Sequence, residues 1–247
     1  QGPAMRKRDF ATDSNLQEVW KGTEAHLSGA PAFKDRAEVD QAYDGLANIV
    51  NTMITHQGDT SNLILDPDLD SYYSMDVTLL ALPQTQNRLP KMISFGRDAI
   101  GKGKLSGQDR VQMAVFASML QESDIARVVA STNTAINEDP NFYGVSPTFH
   151  NSIASALNRY EDLNTKFAEM VKRFAVEEKP IISAKEVVEA GLAARDESFR
   201  FWNVYSGELD SLLKIRITSY DEKRNRALTA SAAAVLVALL LSMLVMW

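Results

Sequence analysis

The sequence predicts an all-α protein: an elongated up-and-down bundle of four principal long helices plus a short N-terminal one, with the last helix continuing into a transmembrane span. Three observations predict it. Apolar residues recur at spacings of three and four along most of the chain, the period of a helix with one buried face. No stretch alternates apolar and polar residues as a half-buried strand would. Finally, residues 227–246, ALTASAAAVLVALLLSMLVM, contain no ionisable side chain.

Residues 1–5 read as an expression-tag remnant, Gln1-Gly2-Pro3 being what a protease site leaves behind. A short helix is expected at 14–27, ahead of Pro31. Over 36–63 the stripe is Val39, Tyr43, Leu46, Val50 and Met53, continued by Gln57, Thr60 and Ile64. Asp66-Pro67 breaks it, Asp66 as an N-cap and Pro67 at the first helical position. The helix that follows reaches about Ile100, and Pro83 and Pro90 are expected to kink it. Gly101, Gly103 and Gly107 mark a loop.

Ser106 and Asp109 form the next capping signal, and Val111, Val115, Met119, Ile125, Val129 and Ile136 are expected on one face of that helix. Asp139-Pro140 ends it. Phe149, Ile153, Leu157, Tyr160, Leu163, Phe167, Met170 and Phe174 form another stripe, closed by Lys179-Pro180. Ser183-Ala-Lys-Glu186 is a capping box opening the last helix, through Val188, Leu192, Phe199, Trp202, Leu209 and Leu213. Only Gly191 and Gly207 interrupt it, each costing about 1 kcal/mol in a helix. This helix is therefore expected to run from the bundle into the bilayer without a break. Residues 6–226 form the bundle domain and 227–247 the membrane helix, whose twenty uncharged residues span about 30 Å at the standard rise. Trp247 stands where an interfacial aromatic belongs, and Lys223, Arg224 and Arg226 precede the span.

Composition removes several function classes. The chain has 247 residues, 45% of them hydrophobic, which is too apolar for disorder. Its formal charge is −6 with no basic block, which argues against nucleic acid as a partner. The absence of Cys removes disulfides, thiolate zinc sites and Cys nucleophiles. Gly96-Arg-Asp-Ala-Ile-Gly101-Lys102 resembles a phosphate loop but is followed by Gly103 in place of Ser or Thr, and it follows a helix. Asp66, Asp68 and Asp70 copy the start of a calcium loop, but Ser71 replaces the turn Gly and Val77 the bidentate Glu. His26, His56 and His150 lie far apart without metal-ligand spacing, and no nucleophile elbow is present. No catalytic residue, cofactor or metal is therefore expected.

Polar residues on apolar stripes are the remaining signal. Asp76 stands one turn from Tyr72, Tyr73 and Leu80; Arg195 lies between Leu192 and Phe199; Glu122 lies between Met119 and Ile125. A charge in a bundle seam is costly unless paired or hydrated. One reading is a structural ion pair of Arg195 with Asp76 or Glu122. The other is a small-molecule pocket between helices, where bundles place their ligands. Arg195 would then meet a carboxylate or other anion, with Tyr72 and Tyr73 as wall and hydroxyl donors. In the span, Ala230, Ala234, Ala238 and Ser242 recur every fourth residue, a small strip that suits pairing with another helix and hence a homodimer.

Residues 58–76, GDTSNLILDPDLDSYYSMD, resemble a signature of bacterial transmembrane sensors, with looser likeness through Leu82-Pro83 and at Leu209-Asp-Ser-Leu-Leu213. The resemblance implies an all-helical extracytoplasmic sensor domain between two inner-membrane spans. A HAMP linker and a chemotaxis, histidine kinase or diguanylate cyclase output would follow. It implies no particular ligand residues. On this reading residues 6–226 lie in the periplasm or outside the cell and bind a small molecule that shifts the last helix. The rival readings are a structural or partner-binding stalk on a membrane anchor and a helical pore-forming protein. A stalk would have every seam charge paired and no cavity, and a pore former would hide its apolar segment inside the fold.

Overall fold

A computed structural model describes residues 21, 36–177 and 182–247. The tag remnant and, apart from Lys21, the helix expected at 14–27 lie outside the described residues. Five long helices are present, and no strand occurs among the described residues. Helix α1 is Arg36–Thr60. Helix α2 (69–101) is α-helical over Leu69–Met75, widens to a π-helix over Asp76–Ala81, and returns to α over Leu82–Gly101. Helix α3 (107–138) repeats that plan, with Gly107–Ser118, a π stretch at Met119–Ile125, and Ala126–Glu138. Helix α4 is Phe149–Val176 and α5 is Ala184–Met246.

Helices α2 to α5 close a four-helix bundle in which α2 and α4 each pack against both α3 and α5. The two capping boxes form as expected: Ser106 with Asp109 starts α3, and Ser183 with Glu186 starts α5. Helix α2 begins two residues later than expected. Asp68, not Asp66, is its N-cap, because the Asp66 carboxylate accepts the Asp68 N–H at 3.0 Å and holds residues 66–68 in a turn. Pro83 and Pro90 lie inside α2. The π stretch directly precedes Pro83, where a tight α turn would press the ring against a carbonyl.

The core has two clusters. Near the start of α5 it holds Met92, Ile93, Met113, Phe167, Val171, Phe174 and Val187. Nearer the span it is aromatic: Phe149, Tyr160, Phe201 and Tyr205 around Val77, Leu82 and Val128. Gly191 sets how closely α5 approaches, since a Cβ there would lie 2.3 Å from Ile93 Cγ1 and 2.9 Å from Phe167 Cζ. The stripe of α4 is buried largely as expected. In α3 and α5 the expected stripe is buried only in part: Ile125 and Leu209 face the core as expected, but the rest of the buried line is shifted. In α3, Val111, Val115 and Met119 are exposed, while Met113, Ala117, Leu120, Asp124 and Val128 face inward. In α5 the buried line is Val187, Gly191, Ala194, Ser198, Phe201 and Tyr205, and Phe199 is exposed.

Helix α5 is 63 residues long, about 95 Å at the standard rise. Its lower third leaves the bundle as an exposed apolar rod long enough to cross a membrane. Helix α1 is the least integrated. Among its described side-chain positions Gly58 alone is buried, pressed against Leu79 of α2.

Candidate functional site

The bundle end nearest the span is tied together by one guanidinium. Arg216, on α5 eleven residues before Ala227, reaches back to the turn between α1 and α2. It donates to both carboxylate oxygens of Asp66, at 2.7 and 3.0 Å, and to the Ser71 hydroxyl. Its Nε lies 2.7 Å from Asp68 Oδ2. Side-chain exposure is 17% for Arg216, 1% for Asp66 and 12% for Asp68, so the pairs are shielded from water. Asp70, next along, is buried and accepts the Ser71 N–H at 2.7 Å. Burial pushes its carboxyl above the usual range, against the opposing pull of that N–H and of Arg216.

The turn between α3 and α4 joins the same cluster. Tyr143 sits there with φ +54°, a left-handed conformation uncommon for a bulky residue. Its hydroxyl donates to Asp68 at 3.0 Å, and its ring meets Tyr220 of α5 edge-on at 6.0 Å. Burial, with Tyr220 and Asp68 alongside, raises its pKa and keeps the phenol a donor. The Lys223 ammonium lies 5.5 Å from the Tyr143 ring and 5.7 Å from that of Tyr220. Both lower turns are therefore gripped by α5 just before it enters its apolar segment.

Halfway up, two ion pairs cross between α2 and α3 at the π stretches. Asp76 opens the one in α2 and is held by Arg127, at 2.5 and 3.3 Å, and by the Ser131 hydroxyl at 2.8 Å. Asp124 lies in the one in α3 and is held by Arg88 at 2.5 Å and by the Gln84 amide at 3.0 Å. Burial raises the Asp124 pKa although Arg88 and Gln84 oppose it. Trp202 of α5 donates to the Thr78 carbonyl at 2.8 Å, so the α2 widening also touches the helix that carries the apolar rod. A third buried acid, Glu197 of α5, is held by Arg159 and Arg200, each at 3.1 Å.

Outside the four-helix bundle, α1 and α2 diverge above Gly58. Two cavities open between them, of about 370 and 640 Å³, sharing Asn87, Lys91 and Phe116 in their walls. Lys91 of α2 pairs with Asp44 of α1 at 3.2 Å. Leu79 and Leu80 of the π stretch, with Gln84 and Arg88, line the smaller cavity.

The five residues singled out in the sequence separate on folding. Asp76 faces inward as expected, but its partner is Arg127, not Arg195. Arg195 lies on the surface beside Asp196, at 2.8 Å, its side chain 38% exposed. Glu122 is exposed, and Asp124, two residues on, occupies the seam. Tyr72 and Tyr73 are half-buried and meet each other edge-on at 5.3 Å. None of the five lines either cavity. Arg216, Tyr143, Asp124, Arg127 and Lys91 were not found from the sequence. For Arg216 a signal existed: a cation set between Ile215 and Ile217, one helical turn after Leu212, in a chain that places Asp66, Asp68 and Asp70 close together in one segment. Compared with known protein families, with curated proteins and with solved structures, the chain matches none.

Proposed function

We propose that this chain is the ligand-sensing and signal-transmitting part of a bacterial transmembrane receptor, most simply a chemoreceptor, and that it catalyses no reaction. The observation that carries this reading is α5, one helix that packs in the bundle core, grips both lower turns through Arg216 and Tyr220, and continues as an exposed apolar rod. Any rearrangement of the bundle that moves α5 relative to the 61–68 turn must move the membrane segment with it. Packed helices shift by about 1–2 Å in known transitions of this type. A ligand drives such a shift only through different affinity for the two arrangements. On this reading α5 crosses the inner membrane, residues 6–226 lie in the periplasm or outside the cell, and two copies pair through Ala230, Ala234, Ala238 and Ser242. The likeness of residues 58–76 to the sensor signature supports the same reading, and those residues build the turn that Arg216 grips.

One observation favours a partner-binding stalk instead: the buried acids Asp76, Asp124 and Glu197 are all paired with arginines of the bundle. The deciding experiment exploits the absence of cysteine. Spin labels at Thr218→Cys on α5 and Asn141→Cys on the α3–α4 turn, in the full chain in nanodiscs, report the distance between them. A panel of amino acids, carboxylates, amines and sugars is added. A receptor gives a changed distance distribution with at least one compound, and that compound also raises the melting temperature. No change across the panel sinks direct sensing and leaves the stalk.

A further inference from the structure

We infer that the groove between α1 and α2 binds a small zwitterion, its carboxylate meeting Lys91 and its ammonium meeting Asp44. This rests on the receptor reading and names its ligand site. The groove is set by the fold. Gly58 seats the lower end of α1 on Leu79, and above that point the two helices separate enough to leave cavities of about 370 and 640 Å³. These lie within the range of small-molecule sites.

The charges select the ligand. Lys91 stands in the walls of both cavities and reaches Asp44 across the groove at 3.2 Å, with the two side chains 52% and 51% exposed. A pair this exposed contributes little to stability, so separating it is easy. A simple anion that captured Lys91 would leave Asp44 without the partner it meets at 3.2 Å. A simple cation that captured Asp44 would leave Lys91 without that partner. Arg88 offers no substitute, because it is nearly buried and committed to Asp124 at 2.5 Å. A ligand carrying both charges satisfies both residues at once. Asn48 and Asn87 stand beside them as further donors and acceptors, and Phe95 packs on Phe116 at 5.8 Å to give an apolar wall for the ligand's carbon skeleton.

The position also offers a route to α5. A ligand bridging Lys91 and Asp44 ties α1 to α2 ten residues beyond the π stretch, at a cavity wall that Lys91 shares with Leu79 and Leu80 of that stretch. That stretch contains Thr78, the acceptor of the Trp202 bond from α5. Trp202 is therefore a built-in reporter.

The test is calorimetric titration of the full chain in detergent micelles with glycine betaine and α-, β- and γ-amino carboxylates. Alkylamines and alkanoates of matched length serve as single-charge controls, and tryptophan fluorescence is followed in parallel. At least one zwitterion should bind while neither single-charge control of its length does. Lys91→Met and Asp44→Asn should each weaken that binding roughly tenfold or more, since each removes a charge-assisted contact. Both variants should melt unliganded within about 2 °C of the parent, because the pair is exposed. Equal binding of single-charge analogues overturns the proposal, as does unchanged affinity in both variants. If zwitterions fail while another compound in the spin-label panel moves α5, this site falls and the receptor reading stands. If nothing binds in either experiment, both fall.

Discussion

Replacing Arg216 by Ala should release the lower end of the bundle while leaving its upper half folded. The guanidinium is 17% exposed and faces Asp66 and Asp68, which are 1% and 12% exposed. Removing one partner of a buried ion pair typically costs about 3–5 kcal/mol, because the remaining charge stays desolvated without compensation. Part of that cost is avoided here if the 61–68 turn swings into water, which would also take the N-terminus of α2 off α5. Hydrogen exchange should therefore rise most in peptides covering 61–75 and 139–146, and little in α4 around Phe167. For a domain of about 200 residues, 3–5 kcal/mol corresponds to a fall in melting temperature of about 6–20 °C. Arg216→Lys keeps the charge but lacks the fork that serves both oxygens of Asp66, so it should fall between Ala and the parent. Asp66→Asn combined with Arg216→Ala should cost less than the sum of the two single changes, since each removes the same contact. If Arg216→Ala melts within about 2 °C of the parent and its 61–75 exchange is unaltered, the clamp contributes nothing and the argument for coupling through it fails.

Three further outcomes follow from the same geometry. Gly191→Ala should lower stability by about 1–2 kcal/mol, the steric cost of a Cβ 2.3 Å from Ile93 outweighing the roughly 1 kcal/mol of helix propensity gained; in an Ile93→Ala background the same change should become neutral or stabilising, which a thermal-melt double-mutant cycle reads directly. Asp70 has a folded pKa raised by burial, so its ionisation opposes folding: stability from this group is present below the unfolded carboxylate pKa and is lost as pH rises through the folded value. Asp70→Asn should accordingly stabilise the chain at pH 7 and lose that advantage by about pH 3, measured as denaturant midpoints, and an equal effect at both pH values would refute the burial account. Gln84→Ala removes an amide hydrogen bond to the buried Asp124 carboxylate and should cost about 1.5–3 kcal/mol, whereas Arg88→Ala breaks the buried ion pair and should cost about 3–5 kcal/mol, compared in the same denaturant series.

What the sequence disclosed and what it concealed divide along one physical line. Helix identity, both capping boxes and the unbroken α5 were legible because they depend on local chemistry: a Ser with an acid three residues on, a period of 3.6, an absence of proline. The face each helix buries depends on what it packs against. In α4 the largest side chains, Phe149, Tyr160, Phe167 and Phe174, are also the buried ones, so hydrophobicity pointed the right way. In α5 the inward line runs Gly191, Ala194, Ser198, Phe201, one residue away from Leu192, Arg195, Phe199 and Trp202. One residue is a rotation of about 100° on a helix, enough to carry Arg195 from the seam to the surface. Close approach at Gly191 demands small residues, and a hydrophobicity stripe ranks small residues low.

The same rule explains why the charged sites were missed as pairs. A buried acid is identifiable only with its partner, and these partners sit 36 to 150 residues away: Arg88 for Asp124, Arg127 for Asp76, Arg216 for Asp66. The resembling segment at 58–76 makes sense in this light. Gly58 seats α1, Asn62 takes a left-handed φ of 60°, Asp66 and Asp68 receive Arg216, and Asp76 begins the π stretch and receives Arg127. Residue after residue in that stretch serves the junction between α1, α2 and α5, and none of the five lines the cavities. In this chain the segment therefore fastens the bundle to the helix that carries the apolar rod. The groove proposed to hold the zwitterion, built from α1 positions such as Asp44 and Asn48, lies outside that segment, so substitutions there would change what the groove holds and leave the Arg216 fastening in place.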